Sequence, residues 1–219
     1  MLRVEFHCHT LYSHDSLLDI EDLLSVARRK KLDRVVITDH NTIEGALQAQ
    51  KLEPALVIVG EEIMTRDGEL LAAFLTQEVP AGLSAEEAIA RLRHQGAFIS
   101  VSHPFDRMRK GHWRIEALRR ITPLIDAIET FNARCLLSRY NRRAAAFAHS
   151  LLLPGTAGSD AHSRMELGRA IMVLPEFEDV NSFRCSLSQG HFEKRLSSPL
   201  VHLTSRYAVW WKQLSGKIE

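Results

Sequence analysis

The sequence predicts a closed, largely parallel α/β barrel, and three observations carry that prediction. Short apolar, β-branched runs alternate with helical periodicities along the chain, the pattern of successive βαβ units. His7, His9, His40, Glu62, His103, Asp160 and His162 each follow the carboxyl end of such a run. These residues are spread over most of the chain; an open doubly wound sheet gathers ligands at one switch point, whereas a barrel brings many strand ends onto one face.

The first run, Leu2 to Phe6, leads into His7-Cys8-His9. In extended backbone alternate side chains share a face, so the two imidazoles can hold one metal ion while Cys8 turns away as a small packing residue. A polar loop from Thr10 to Ser16 carries Asp15. Asp19 then caps a helix whose apolar positions Ile20, Leu23, Leu24 and Ala27 recur with helical spacing, and Arg28 to Lys31 close its carboxyl end. Arg34 to Thr38 is apolar in its centre, as a buried parallel strand should be, and ends at Asp39-His40.

Leu56 to Val59 forms the next strand and places Glu61 and Glu62 where earlier strands placed imidazoles. Glu69 to Leu75 reads as another strand. Ser84 and Glu87 make a capping box for a helix that Gly96 ends. The strand Ala97 to Val101 reaches His103-Pro104, and a basic, less regular stretch follows from Asp106 to Arg120. A strand over 124–131 carries Glu129 and reaches Asn132. After a helix from Leu136 to about Ser150, Pro154 to Gly158 lead into Ser159-Asp160-Ala161-His162, and Ala170 to Leu174 supply the last strand.

Composition narrows the function classes. With 45% hydrophobic and 25% charged residues, the chain has the make-up of a globular protein with one sizeable core. The expected organisation is a single domain over 1–219, a barrel core to about residue 175 and a C-terminal helix and tail packed on it. A net charge of +1 gives no general attraction to polyanions. Three scattered cysteines form neither a disulfide framework nor a zinc ribbon. Without a leader-like start or a membrane-length apolar segment, the expectation is a cytoplasmic protein that does not span a membrane. A monomer is the default oligomeric state.

His7-x-His9, Asp15, Thr38-Asp39-His40-Asn41, Gly60-Glu61-Glu62-Ile63, Ser102-His103-Pro104 and Gly158-Ser159-Asp160-Ala161-His162 resemble, in order, the motifs of the polymerase and histidinol phosphatase (PHP) family of metal-dependent phosphoesterases. The resemblance spans nearly the whole chain. It implies a distorted (β/α)7 barrel of the TIM-like kind with two or three divalent metals at its C-terminal face. It further implies that His7, His9, Glu62 and Asp160 hold one metal and Asp15, His40 and His162 a second. Glu62, as a bridging carboxylate, and His103 contribute to a third. Glu61 is the rival of Glu62 for the bridge. Such a mixed imidazole and carboxylate set suits Mn²⁺, Fe²⁺ or Zn²⁺ better than Mg²⁺.

The implied activity is hydrolysis of small phosphate monoesters, of histidinol phosphate, nucleotide or nucleoside bisphosphate type, by a metal-bound hydroxide. Glu62, His103 and Asp160 are the catalytic candidates, with Asp160 or His103 assisting proton transfer. Arg134 is the first candidate for the phosphate oxygens because its planar fork matches them; Arg107 and Asn132 are further substrate-binding candidates. The alternatives are an exonuclease trimming short RNA or DNA, which the basic residues between Arg107 and Arg120 keep open, and a non-catalytic metal-binding module. The adjacent Trp210 and Trp211 are expected to dock on the barrel. One departure from the family stands out: many relatives have a His two residues after the Glu of a Gly-Glu pair, where this chain has Leu71 after Gly68-Glu69. Leucine cannot ligate, so the third metal position is expected to be weak or filled only with phosphate present.

Overall fold

In the computed structural model, described here over residues 1–216, the strands form one nine-stranded sheet that curls into a distorted, nearly closed barrel. In chain order the elements are β1 (Leu2–Cys8), α1 (Ile20–Arg29), β2 (Arg34–Ile37), α2 (Glu44–Leu52), β3 (Val57–Met64), β4 (Glu69–Ala73), α3 (Ala85–His94), β5 (Phe98–Val101), α4 (Ile115–Ile121), β6 (Ala127–Asn132), α5 (Ser138–Ser150), β7 (Gly155–Gly158), β8 (Ala170–Leu174), α6 (Val180–Ser186), β9 (His191–Lys194) and α7 (Val201–Leu214). The sheet order is β7-β6-β5-β4-β3-β2-β1-β8-β9. Asp160 N–H donates to His7 O at 2.7 Å and His9 N–H to Ala161 O at 2.8 Å, so the chain after β7 pairs with the end of β1 and closes the mouth.

Two helix starts follow the local chemistry read from the sequence. The Asp19 carboxylate accepts from Glu21 N–H at the start of α1, and Ser84 and Glu87 cap each other's backbone at the start of α3. The sheet departs from the expected parallel order at β4 and β8, both antiparallel to their neighbours. Only residues 65–68 join β3 to β4, too few for the crossover that a parallel pairing needs. The expected strand over 124–131 begins only at Ala127, because Thr122–Leu124 is a turn of 3-10 helix containing Pro123. The basic stretch before it contains α4.

Apolar residues fill two layers. Outside the strands, Leu23, Ile89, Leu92, Leu118 and their neighbours pack between sheet and helices. Inside, Val4, Phe6, Val36, Leu71, Phe98 and Met172 fill the amino-terminal half of the barrel, and Phe183 of α6 closes it from below. The Phe183 ring lies 4.8 Å from Phe98, 4.9 Å from Phe177 and 5.7 Å from Phe6, centroid to centroid. Arg184, next to it, reaches Asp126 at 3.2 Å and Ala97 O at 2.8 Å, which fixes α6 to the lower rim.

The C-terminal helix docks otherwise than expected. Its inward residues are Ala208 and Lys212, one turn apart; the Lys212 ammonium donates to Leu11 O and Ser13 O at 2.6 and 2.5 Å. Trp210 and Trp211 stay about half exposed on the other side. No helix among the described residues is long and apolar enough to cross a membrane.

Because the lower barrel is plugged by one aromatic side chain, Phe183→Ala should lower unfolding free energy by about 3–5 kcal/mol. A urea titration followed by circular dichroism checks this, the expected outcome being a lower midpoint with an unchanged slope.

Candidate metal centre

Above the apolar plug, the barrel mouth is polar and buried. What aims His7 and His9 into it is a β-bulge: between Glu5 and Cys8 the register of β1 on β2 slips by one residue. Phe6 belongs to the barrel interior, and simple alternation would turn His7 outward. With the bulge, His7 and His9 face the mouth, while Cys8 packs in the outer layer with its thiol 3.4 Å from Val36 O. Burial raises that thiol's pKa well above its ordinary value, which keeps it an inert packing group.

Four side chains converge closely. His7 Nε2 and His9 Nε2 are 3.1 Å apart, and Glu62 Oε2 lies 3.2 and 3.3 Å from them. Asp160 Oδ1 lies 3.7 and 3.3 Å from the same nitrogens. Ligands at ~2.1 Å from one ion sit roughly 3.0 Å apart in octahedral and 3.4 Å apart in tetrahedral geometry, so this cage has the dimensions of a divalent-metal site. Beside it, His40 Nδ1 is 3.2 Å from Glu62 Oε2 and His40 Nε2 is 3.5 Å from Asp15 Oδ1, while His162 Nε2 is 3.0 Å from Asp15 Oδ2. His103 Nε2 approaches the other Glu62 oxygen at 3.2 Å. The eight residues expected to ligate therefore form one cluster, seven of them gathered around Glu62.

The donor set fits metal ions on a further ground. Asp15 Oδ1, His103 Nε2, Asp160 Oδ1 and His162 Nε2 are buried without a hydrogen-bond partner, and all four face the cluster. Burial disfavours a charged His7, yet the carboxylates of Glu62, Asp160 and Glu129 outweigh it and hold its pKa well above the usual value. Burial, with His9 nearby, pulls His40 down to about 4, and burial pulls His162 down to about 3. These two are neutral imidazoles at pH 7, as metal ligation requires.

Glu61 and Glu62 separate by strand alternation. Glu61 points into the helix layer, accepts from Val79 N–H at 3.0 Å, and is pushed up to about 8 by burial. Glu62 alone faces the cluster. Leu71 and Glu69 share the inward side of β4, but Leu71 sits deeper, in the apolar interior, whereas Glu69 stands at the level of the mouth. Its Oε2 lies 3.5 Å from His103 Nε2, and burial, with Glu62 next to it, raises its pKa to about 7. Glu62 and His103 therefore do not stand alone on this side of the cluster: the Glu69 carboxylate lies beside them. In the sequence it is marked only as the Glu of a Gly-Glu pair at the start of a strand.

Around the cluster lies a second ring. Glu129 Oε1 accepts from His7 Nδ1 at 2.9 Å, and its other oxygen accepts from His103 N–H at 2.8 Å and from the Asn132 amide at 3.1 Å. This fixes His7 with Nε2 presented to the mouth. Asn132 also donates to Asp160 Oδ2. Asp39 accepts from Thr10 and Ser13, and Ser13 in turn contacts His9 Nδ1 at 3.0 Å. Asp160 holds left-handed backbone (φ 53°), a conformation that aspartate tolerates better than most residues.

The arginines lie differently from the sequence expectation. Arg134 is buried, with Nε 3.1 Å from Glu166, Nη1 against His162 Nδ1, and Nη2 donating to Val201 O and Ser205 Oγ. Its fork is committed to bracing the wall of the site. Arg107 is exposed. Arg109, which the sequence reading did not single out, reaches in and donates to Asp160 Oδ2. With Asp15 and His40 it gives the mouth its small exposed area, its side chain being 17% accessible.

The chain belongs to the PHP family. The PHP domain matches over residues 5–110 and the PHP-associated family over 138–191. The uncharacterized protein MJ1587 of Methanocaldococcus jannaschii is 36% identical over 146 residues, 60% of this chain and 82% of that protein. Among solved structures, PsfC from Pseudomonas syringae superposes with a TM-score of 0.68 at 21% identity over 96% of this chain and 100% of its own. A candidate metal-dependent phosphoesterase from Bifidobacterium adolescentis gives 0.63 at 18% identity, covering 86% and 96% respectively. At these identities the two structures speak for the fold.

Because Glu129 anchors the His7 imidazole and the backbone of His103, Glu129→Ala should weaken metal binding about 10- to 100-fold while the fold survives. Calorimetric titration of Mn²⁺ into the metal-free protein is the measurement.

Proposed function

We propose that this chain is a metal-dependent hydrolase of small phosphate monoesters. The observation that carries the reading is the convergence of imidazole and carboxylate side chains, most of them buried, around Glu62 at the mouth of the barrel. In this reading His7, His9, Glu62 and Asp160 hold one divalent ion, Asp15, His40 and His162 a second, and Glu62, His103 and Glu69 a third. Mn²⁺, Fe²⁺ and Zn²⁺ suit such donors better than Mg²⁺. Ions held there supply Lewis-acid stabilisation of phosphate oxygens and an acidified water.

The remaining work falls to the chain itself. Arg109 is our candidate for the non-bridging oxygens in place of Arg134 and Arg107, since its guanidinium is the one planar donor that enters the cluster. Asn132, hydrogen-bonded to Glu129 and Asp160, orients the latter rather than meeting substrate. His103 serves this reading as a ligand through Nε2, which faces Glu62, and would assist proton transfer only while the third position is empty. The narrow mouth favours a small ester of histidinol phosphate, nucleotide or nucleoside bisphosphate type.

A second reading rests on the cleft of about 460 Å³ at Gly68, bordered by Asp67 and by the cationic Arg66, Lys110 and Arg114. Those cations would suit the backbone of a short nucleic acid entering by its end.

Metal analysis followed by a phosphate-ester panel in Mn²⁺, Fe²⁺, Zn²⁺ and Mg²⁺ tests the proposal. Monoester hydrolysis is expected; shortening of oligonucleotides without it would select the second reading, and inactivity toward both would leave a metal-binding module. Asp160→Asn, which tolerates the left-handed backbone, should lower turnover by at least about 100-fold with loss of bound metal. Arg109→Ala should lower kcat/KM by about 100-fold with metal content unchanged. An Arg109→Ala enzyme of wild-type efficiency would move the phosphate-binding role elsewhere.

A further inference from the structure

The outward face of α7 carries an apolar stripe that no other described part of the chain covers. Leu200, Leu203, Tyr207, Trp210 and Leu214 follow one another at spacings of three, four, three and four, with Trp211 alongside. They keep between 46% and 68% of their surface exposed. Single exposed apolar residues are ordinary; six in one contiguous band mark an interaction surface. The spacing is that of a seam by which one helix meets another. It does not suit a helix lying in a bilayer surface, which needs a strongly basic polar face. Here Lys212 is turned inward onto Leu11 O and Ser13 O, leaving Arg206 as the remaining Lys or Arg of the helix.

We propose that α7 forms the interface of a twofold-symmetric homodimer, packed antiparallel against α7 of a second copy. With the axis at Tyr207, Leu203 meets Trp211, Leu200 meets Leu214, and Trp210 falls opposite Thr204, whose methyl group can pack against the indole. Arg206 then stands level with the inward-turned Ala208, and no like charges oppose. The arrangement closes on itself because both copies offer the same patch. The six side chains expose roughly 800 Å² per copy, about the share each partner contributes to a standard-size interface. This surface is independent of the proposed chemistry.

Sedimentation velocity of the full chain over a concentration series provides the test. Wild type should sediment near twice the chain mass of 24.8 kDa. Tyr207→Glu and Trp210→Glu, both at exposed positions, should sediment as single chains with unchanged circular dichroism, their dimer dissociation constants at least ~100-fold weaker. In a background where the exposed Cys185 is replaced by serine, Tyr207→Cys should cross-link into dimers on mild oxidation and Leu200→Cys should not. A wild type that stays a single chain, with or without binding to anionic vesicles, would overturn the proposal. So would a dimer indifferent to both glutamate substitutions, or preferential cross-linking through Leu200→Cys.

Discussion

The carboxylate of Glu62 is the constraint on which this molecule turns. It is wholly buried, and an ionised carboxylate taken out of water is tolerated only when charge and hydrogen bonds surround it. His7, His9, His40 and His103 all approach it within 3.3 Å, and Ser102 donates to it at 2.5 Å. Burial works against the anion, but these neighbours hold its pKa well below the ordinary carboxylate range. Each of those imidazoles must then be held in turn, and they come from the ends of three strands, β1, β2 and β5, to meet Glu62 on a fourth, β3. A barrel is the architecture that meets this requirement, because it can direct residues of several strands at one point.

Holding them takes departures from regular strand geometry. The bulge in β1 lets Phe6 and His7 both serve the interior, one as plug and one as ligand candidate. A second slip between Glu129 and Phe131 lies just before Asn132, the residue that reaches Asp160. Asn41 and Asp160, beside or within the cluster, both hold left-handed backbone. Such strain persists where the surroundings over-determine it. Here the aromatic plug around Phe183 and the apolar layer beneath the helices supply the rigid surroundings, so the lower barrel stabilises what the upper barrel strains.

Much of this was legible in the sequence, for a physical reason. Ligand candidates at strand ends are marked by abrupt passage from β-branched apolar residues to His, Asp or Glu, as at Ile37 to His40 or Val59 to Glu62. That signal survives without knowledge of the sheet. Capping at Asp19 and Ser84 was legible because it is settled within four residues. What failed depended on direction in space. Arg134 and Arg109 are equally plausible as cations in one dimension, and only the fold shows the former spent on Glu166 and the latter aimed at Asp160. The antiparallel β4 was readable in principle, since four residues cannot make a crossover. Once β4 is a hairpin partner of β3, Glu69 enters the mouth and Leu71 the core, so the carboxylate stands near His103 although the family's His is absent.

The C-terminal helix inverts the usual relation between helix and core. An ordinary surface helix buries its apolar stripe and wets its polar one. In α7 the inward face holds on by polar contacts: Lys212 grips two loop carbonyls, and Val201 and Ser205 receive Arg134. Those contacts fall on the loop that carries Asp15 and on the arginine that meets His162, so the helix steadies two members of the metal centre rather than sealing a core. Polar contacts of this sort stabilise a helix by about 1–3 kcal/mol each when the group is charged, whereas its apolar side chains gain nothing while they face water. The sequence of α7 therefore satisfies one side of the helix with this chain and leaves the other side specified for a surface that the fold does not itself provide.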